Sequence, residues 1–386
     1  MIDLDAMTLD WLRQRQSAKW RMFDSDVLPA WIAEMDFPIA PPIAEALRHA
    51  IDISDLGYRS DTGLADAMAE YSQRMWGWSL DPRKVMSVSD VVVAVGAVVS
   101  VLTKPGDAVV IMPPVYPPFF ESVTVSARRS LVQVPLMRDD SQRYTMDLDA
   151  LAAAFARTDV TACVLCSPHN PTGTVFTREE LSRLAALADQ HGVAIVTDEI
   201  HAPLTLPGET FIPYLSVAGD DARAVLVTSA SKAWNTPGLK CAQIVGTRTT
   251  DALLRAQIPH DIQYGAAHVG VIAAVSAYRD CGPWLTDVID IIDTNMRWLE
   301  QEIPRCLPLA GFVRPQASYL AWVDLTAYDL GDDPATVIAQ HGKVALSQGH
   351  TYGEQGRGFV RINAGTTPAI VAEILDRMER GITAAT

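Results

Sequence analysis

Residues 228–241 read TSASKAWNTPGLKC, which puts Lys232 and Lys240 in a loop of small, hydroxyl and turn-forming residues directly after the apolar run Ala224-Val-Leu-Val227. A lysine at a strand end can serve as an imine-forming nucleophile once burial or a neighbouring charge disfavours its ammonium form. Ser229 stands three positions before Lys232 and Lys240 eight after it, so one loop offers a hydroxyl, a fixed amine and a second cation. Those are the parts needed to hold an aldehyde that carries a phosphate tail. The cheaper signatures are missing: there is no GxGxxG after a strand, no P-loop, no HExxH and no GxSxG.

Short apolar runs must present these residues. Ala108 to Met112, Thr161 to Cys166, Val193 to Thr197 and Ala224 to Thr228 read as strands that alternate with amphipathic helices, the pattern of a parallel α/β sheet. The clearest helix starts at Thr177, where Thr-Arg-Glu-Glu forms a capping box, and stops at His191-Gly192. In open parallel sheets ligands gather beyond the carboxyl ends of the strands, where Tyr116, Asn170, Asp198 and Lys232 all fall. From about residue 283 the pattern changes to a long helix over Trp284 to Ile303, strands at Tyr319 to Val323 and Gly358 to Ile362, and a closing helix. The division expected is a large domain over 45–282 and a smaller α+β domain built from 1–44 and 283–386.

Composition narrows the class. A chain of 386 residues with 49% apolar residues carries enough material for a large core, and a formal charge of −15 disfavours nucleic acid and anionic membrane as partners. No apolar run approaches the roughly 18 residues needed to span a bilayer, and MIDLDAMTLDWLRQ lacks the layout of a signal peptide, which points to the cytoplasm. The five cysteines are sparse. Cys163 and Cys166 form a CxxC inside an apolar run, where residues three apart face opposite sides of a sheet, so buried thiols are expected rather than a metal site.

With Ser229, Lys232 and Lys240 on one loop, the chain resembles the fold-type I pyridoxal phosphate enzymes of the aspartate aminotransferase superfamily (class I/II), over essentially its whole length. The resemblance implies an α/β fold with a mainly parallel seven-stranded sheet sandwiched by helices, and pyridoxal 5′-phosphate as cofactor. Ser167-Pro-His-Asn-Pro-Thr-Gly173 resembles the family's Asn-Pro-Thr-Gly motif, which assigns Asn170 to the ring hydroxyl and the substrate carboxylate. Asp198-Glu-Ile-His201 resembles the aspartate motif, with Asp198 at the pyridine nitrogen and His201 at the ring oxygen. Tyr116 matches the aromatic over the ring, and Tyr58 the tyrosine that reaches the phosphate of a neighbouring subunit, which implies a homodimer with shared active sites. Arg361 in Phe359-Val-Arg-Ile-Asn363 matches the α-carboxylate arginine, since a planar guanidinium grips a carboxylate through two parallel hydrogen bonds. The phosphate cup departs from the commoner pattern, because Asp90 stands where many relatives have glycine. Asp90 is expected to turn away and cap the following helix while the Val91 and Val92 amides face the cofactor.

Three segments narrow the resemblance further. Trp31-Ile-Ala-Glu-Met-Asp-Phe-Pro38, Asp198-Glu-Ile-His-Ala-Pro203 and Ser231-Lys-Ala-Trp-Asn-Thr-Pro-Gly-Leu-Lys240 resemble the cystathionine β-lyase branch related to MalY and PatB. That branch implies α,β-elimination from cystathionine or a related cysteine S-conjugate, with Lys232 as general base, Tyr116 and Asp198 as its catalytic companions, and Ala33, Asn170 and Arg361 around the substrate. Transamination by the same residues is the alternative, and a cofactor-loaded protein that binds a regulatory partner is a second one. No metal is expected.

Overall fold

The computed structural model describes residues 2–60 and 63–385. Seven strands form the main sheet: β1 (Val85–Val88), β2 (Ala108–Ile111), β3 (Ser130–Gln133), β4 (Val160–Cys166), β5 (Ala194–Asp198), β6 (Ala224–Thr228) and β7 (Ala242–Gly246), in the spatial order β1-β7-β6-β5-β4-β2-β3. The five strands from β3 to β6 in that order run parallel, and β7 is antiparallel to both β6 and β1. The parallel α/β fold expected from the alternating runs is therefore present.

Helices on both faces explain why the central strands are largely apolar on both sides. Val110, Cys163, Leu165, Ile195 and Leu226 enter one core cluster, while Val109, Ala162, Val164, Cys166, Val196 and Val227 enter the other. Cys163 and Cys166 thus lie on opposite sides of the sheet, both buried, and burial pushes the Cys163 thiol up to about 12. Among the described residues no group of side chains is arranged to hold a metal ion, and no helix is long and apolar enough to cross a membrane. Thr177 and Glu180 make the capping box of helix Arg178–His191, which Gly192 ends at φ 67°.

The C-terminal part carries a four-stranded antiparallel sheet, β8 (Gly311–Phe312), β9 (Leu320–Asp324), β10 (Ser347–Gln348) and β11 (Phe359–Asn363), in the order β8-β9-β11-β10. Helices Gly282–Cys306 and Pro368–Thr383 cover it. Its two main strands each start one residue later than the sequence suggests. Ser318 sits at φ 76°, which delays the first, and Gly358 sits at φ 77°, where a Cβ would come 2.5 Å from Thr326 Cγ2, which delays the second. The N-terminal segment joins this part: Leu28–Pro29 pairs in parallel with Val344–Ala345, and Asn363 N donates to Ala30 O at 2.9 Å. Helix Pro41–Asp52 runs across the seam expected between residues 44 and 45.

Candidate active site

Strand ends and one helix start build the site. Asp198 ends β5, the loops after β4, β5 and β6 carry Asn170, His201, and Ser229 with Lys232, and Tyr116 follows β2. Helix Val91–Leu102 begins where Asp90 turns extended and its Oδ1 accepts from Val93 N at 3.0 Å. Capping by the carboxylate leaves the Val91 and Val92 N–H groups as free first-turn donors. Val91, Val92, Tyr116, Asn170, Asp198, His201, Ser229, Lys232 and Lys240 line one cavity of about 410 Å³. Volume alone does not mark this site. A cleft of about 450 Å³ opens between Arg138, Arg143 and Arg314, but each of those cations is matched by a carboxylate, Asp324, Glu180 and Asp293 respectively.

Charge and burial distinguish the first cavity. Lys232 is half-buried, and its Nζ donates to Ala33 O at 2.9 Å. Burial, followed by the charge of Arg361, pushes this amine down to about 8, with Asp198 and Glu34 opposing. Asp198 is buried, and the one hydrogen bond to its carboxylate among the described residues comes from Ile200 N at 3.0 Å. Burial pushes its carboxyl up to about 7, against that hydrogen bond and the Lys232 charge. His201 is held down to about 3, first by burial and then by Lys232 and Arg361, so its ring is neutral; Nδ1 meets Ser318 Oγ at 3.0 Å. Tyr116 is pushed up to about 12 by burial, then by Asp198.

Other expected residues take less direct places. Arg361 does not line the cavity; it reaches it through Asn170, donating from Nη1 to Asn170 Oδ1 at 3.0 Å and from Nη2 to Trp31 O at 2.9 Å. Ala33 is present as a main-chain carbonyl shared by Lys232 and Tyr319, whose hydroxyl donates to it at 3.0 Å. The Ser229 hydroxyl donates to Cys241 O at 2.6 Å and accepts from Ser231 N at 3.0 Å. Lys240 Nζ lies 3.3 Å from Asp90 Oδ2, so the second cation of the loop rests on the carboxylate that caps the cup helix. Tyr58 is fully exposed and does not line the cavity of its own chain.

Sequence reasoning missed Tyr319, Ser318, Asn235 and Asn363. Asn235 Oδ1 accepts from Met35 N and its Nδ2 donates to Met35 O, both at 2.8 Å, while Asn363 Nδ2 donates to Ile32 O at 2.8 Å. Asn235 lies within the lysine loop and takes φ 55°, a conformation asparagine tolerates, which was the available signal. Tyr319 and Ser318 gave none, because a tyrosine beside a strand reads as core.

Pyridoxal phosphate fits these residues. Two groups point to a missing polar partner: among the described residues the buried Asp198 carboxylate has no cationic hydrogen-bond partner, and the buried Arg361 Nε has none at all. A helix start with free amides and Lys240 beside it suit a phosphate.

The model of the family described as aminotransferase class I and II matches residues 34–378. The chain belongs to that family. A Mycobacterium leprae protein that carries the provisional name of cystathionine beta-lyase is 40% identical over 400 residues, covering 98% of each chain. Cystathionine beta-lyase PatB of Bacillus subtilis is 36% identical over 380 residues, 95% of this chain and 97% of that protein. Among solved structures, cystalysin from Treponema denticola, which contains a pyridoxal 5′-phosphate cofactor, is similar with a TM-score of 0.91 at 26% identity, covering 97% of this chain and 98% of that one. The family's fold and its cofactor are those expected from the Ser229, Lys232 and Lys240 loop.

Proposed function

We propose that this protein is a pyridoxal phosphate-dependent carbon–sulfur β-lyase that cleaves cystathionine or a related cysteine S-conjugate, with uptake of one water, to a thiol, pyruvate and ammonia, acting in the cytoplasm as a homodimer. The observation that carries the reading is the Lys232 amine, brought down to about 8 at the floor of a cavity where Asp198, Asn170 and the Arg361 contact converge. The similarity to proteins named cystathionine beta-lyase over nearly the whole chain supports the choice of reaction.

The chain's own residues divide the work. Arg361 and Asn170 hold the substrate α-carboxylate, which fixes the Cα–H bond toward Lys232. Lys232 Nζ, largely neutral just above pH 8, takes that proton as general base. Bound pyridoxal phosphate supplies an electron sink for the charge left on the α-carbon. Asp198, a buried carboxylate whose one side-chain hydrogen bond among the described residues comes from Ile200 N, would hold a proton at the cofactor's ring nitrogen, and neutral His201 would offer a ring N–H to its ring oxygen. Val91 N, Val92 N, Ser229 and Lys240 would hold the phosphate, with Tyr58 of a second copy completing the cup. Tyr116 would cover the ring. A thiolate on the β-carbon leaves because its conjugate acid is far stronger than an alcohol, and Lys232 is placed to protonate it.

Incubation with cystathionine and no keto acid tests the reading, with thiol and pyruvate as products. Turnover that requires a keto acid acceptor would assign the chain to transamination instead.

A further inference from the structure

Every carbonyl of the main chain from Trp31 to Asp36 is held by a side chain. Trp31 O accepts from Arg361 Nη2, Ile32 O from Asn363 Nδ2, and Ala33 O from both Lys232 Nζ and Tyr319 Oη. Glu34 O accepts from Asn363 Nδ2 at 2.6 Å and Lys19 Nζ at 3.1 Å, Met35 O from Asn235 Nδ2 at 2.8 Å, and Asp36 O from Arg15 Nη2 at 2.7 Å. None of residues 31–36 belongs to a strand or helix. Buried carbonyls normally pair within secondary structure, so a segment tied down by so many side chains is held in one conformation by groups outside itself.

The end of the segment away from the cavity is charged and dry. Lys19 Nζ lies 2.7 Å from Asp36 Oδ1, with the side chains 1% and 2% exposed, and Asp36 N donates to Gly365 O at 2.8 Å. Arg15 Nη1 stands 3.9 Å from the same carboxylate oxygen. A buried pair adds little net stability over apolar residues, but it permits one register, since any other leaves a charge without its partner. Lys19 divides its donors between the Asp36 carboxylate and the Glu34 carbonyl, so the pair grips the main chain on the residue next to Ala33.

We propose that the Lys19–Asp36 ion pair is a positioning device for the active site, fixing the Trp31 and Ala33 carbonyls that aim Arg361 and Lys232. The proposal rests on the reading of Lys232 as the amine that meets the cofactor and of Arg361 as the carboxylate grip. Lys19 and Asp36 do not line the cavity and act only through the segment between them. Asp198, Glu34 and Arg361 are the charged groups that face Lys232, with neutral His201 beside them, and removing the anchor deletes none of these charges. What changes is the fixed acceptor at Ala33 O and the exclusion of water around Nζ.

The test compares the wild-type protein with the double variant Lys19→Met/Asp36→Asn, which removes both charges together, and with Arg15→Gln, a milder change at a partly exposed residue. Pyridoxal 5′-phosphate is added to cofactor-free protein across about pH 6 to 10, fixed to Lys232 by borohydride and quantified by mass spectrometry. The midpoint for capture is expected to rise by about one pH unit in the double variant and by less in Arg15→Gln, because a loosened segment lets water reach the amine. KM for the thioether amino acid is expected to rise about tenfold, with a smaller change in kcat, because Arg361 loses its aim. Wild-type midpoint and KM in a folded double variant would overturn the proposal; if that variant does not fold, a wild-type midpoint in Arg15→Gln overturns it. Wild-type protein that captures the cofactor on Lys232 yet releases no thiol refutes the lyase reading and leaves the comparison of midpoints intact.

Discussion

Arg361 Nη1 donates to Asn170 Oδ1 across 3.0 Å, joining an interior strand of the small sheet to the loop after β4. The other occupied donor goes to Trp31 O, and the guanidinium lies 5.3 Å above the Tyr352 ring. Two of about five N–H donors are thus committed, and the buried Nε has no partner among the described residues, as a grip on a ligand oxygen would require. Replacing Arg361 by Lys keeps the charge but loses the planar fork. A fall in kcat/KM of about 100-fold, roughly 3 kcal/mol, is expected, most of it in KM. Steady-state kinetics on cystathionine read it, and an unchanged KM would show that the carboxylate is gripped elsewhere.

Asp198 predicts an opposition between stability and function. Its carboxyl titrates at about 7 in the folded, cofactor-free protein, above the ordinary value of 3.8, so the folded state binds the proton more tightly than the unfolded state. The resulting stabilisation is complete below about pH 4 and is lost as pH rises through 7. Asp198→Asn, neutral at every pH, should therefore stabilise the cofactor-free protein at pH 8 by on the order of 2 kcal/mol while abolishing turnover. Thermal melts of both proteins at acid and alkaline pH check the sign: the gap should close toward pH 4.

The Asp90–Lys240 contact of 3.3 Å sets a carboxylate against the expected phosphate clamp. Asp90→Asn retains a side-chain oxygen for Val93 N and removes the charge, so the helix start should hold and Lys240 should turn to the phosphate. Affinity for pyridoxal phosphate, followed by fluorescence quenching, is expected to rise about three- to tenfold, the size of one modest charge contact. Weaker binding would mean that the ion pair itself shapes the cup.

Gly173 ties the Asn170 turn to the C-terminal part. It takes φ 68°, its carbonyl accepts from Gln316 N at 2.9 Å and Ala317 N at 3.0 Å, and a Cβ there would come 2.2 Å from Pro315 Cβ. Gly173→Ala should cost about 3 kcal/mol or more in chemical denaturation and lower cofactor affinity with it, since Asn170 moves with the turn.

The cavity-lining residues Asn170, Asp198, Ser229 and Lys232 were readable because each is a polar or reactive type at or just beyond the end of an apolar strand. The parallel sheet was readable for the same reason: Val160–Cys166 and Ala224–Thr228 are apolar on both faces, as only strands covered by helices can be. Long-range contacts were not. Nothing in the sequence around Ala33 says that its carbonyl will meet Lys232, 199 positions away, or that Tyr319 will share it, because carbonyl partners depend on how two distant segments dock. The pairing of Lys240 with Asp90, 150 positions apart, escaped for that reason, although the capping role of Asp90 followed from its place before an apolar helix. One-residue errors at the strand starts near Ser318 and Gly358 came from positive φ angles that periodicity does not register.

The central claim is that the Lys232 amine carries the chemistry. The most direct measurement is pyruvate and free thiol from cystathionine, without keto acid, by wild-type protein and by Lys232→Ala, both saturated with pyridoxal phosphate. The account predicts release of both products by the wild type and none above background by the variant, whereas wild-type rates in Lys232→Ala would contradict it.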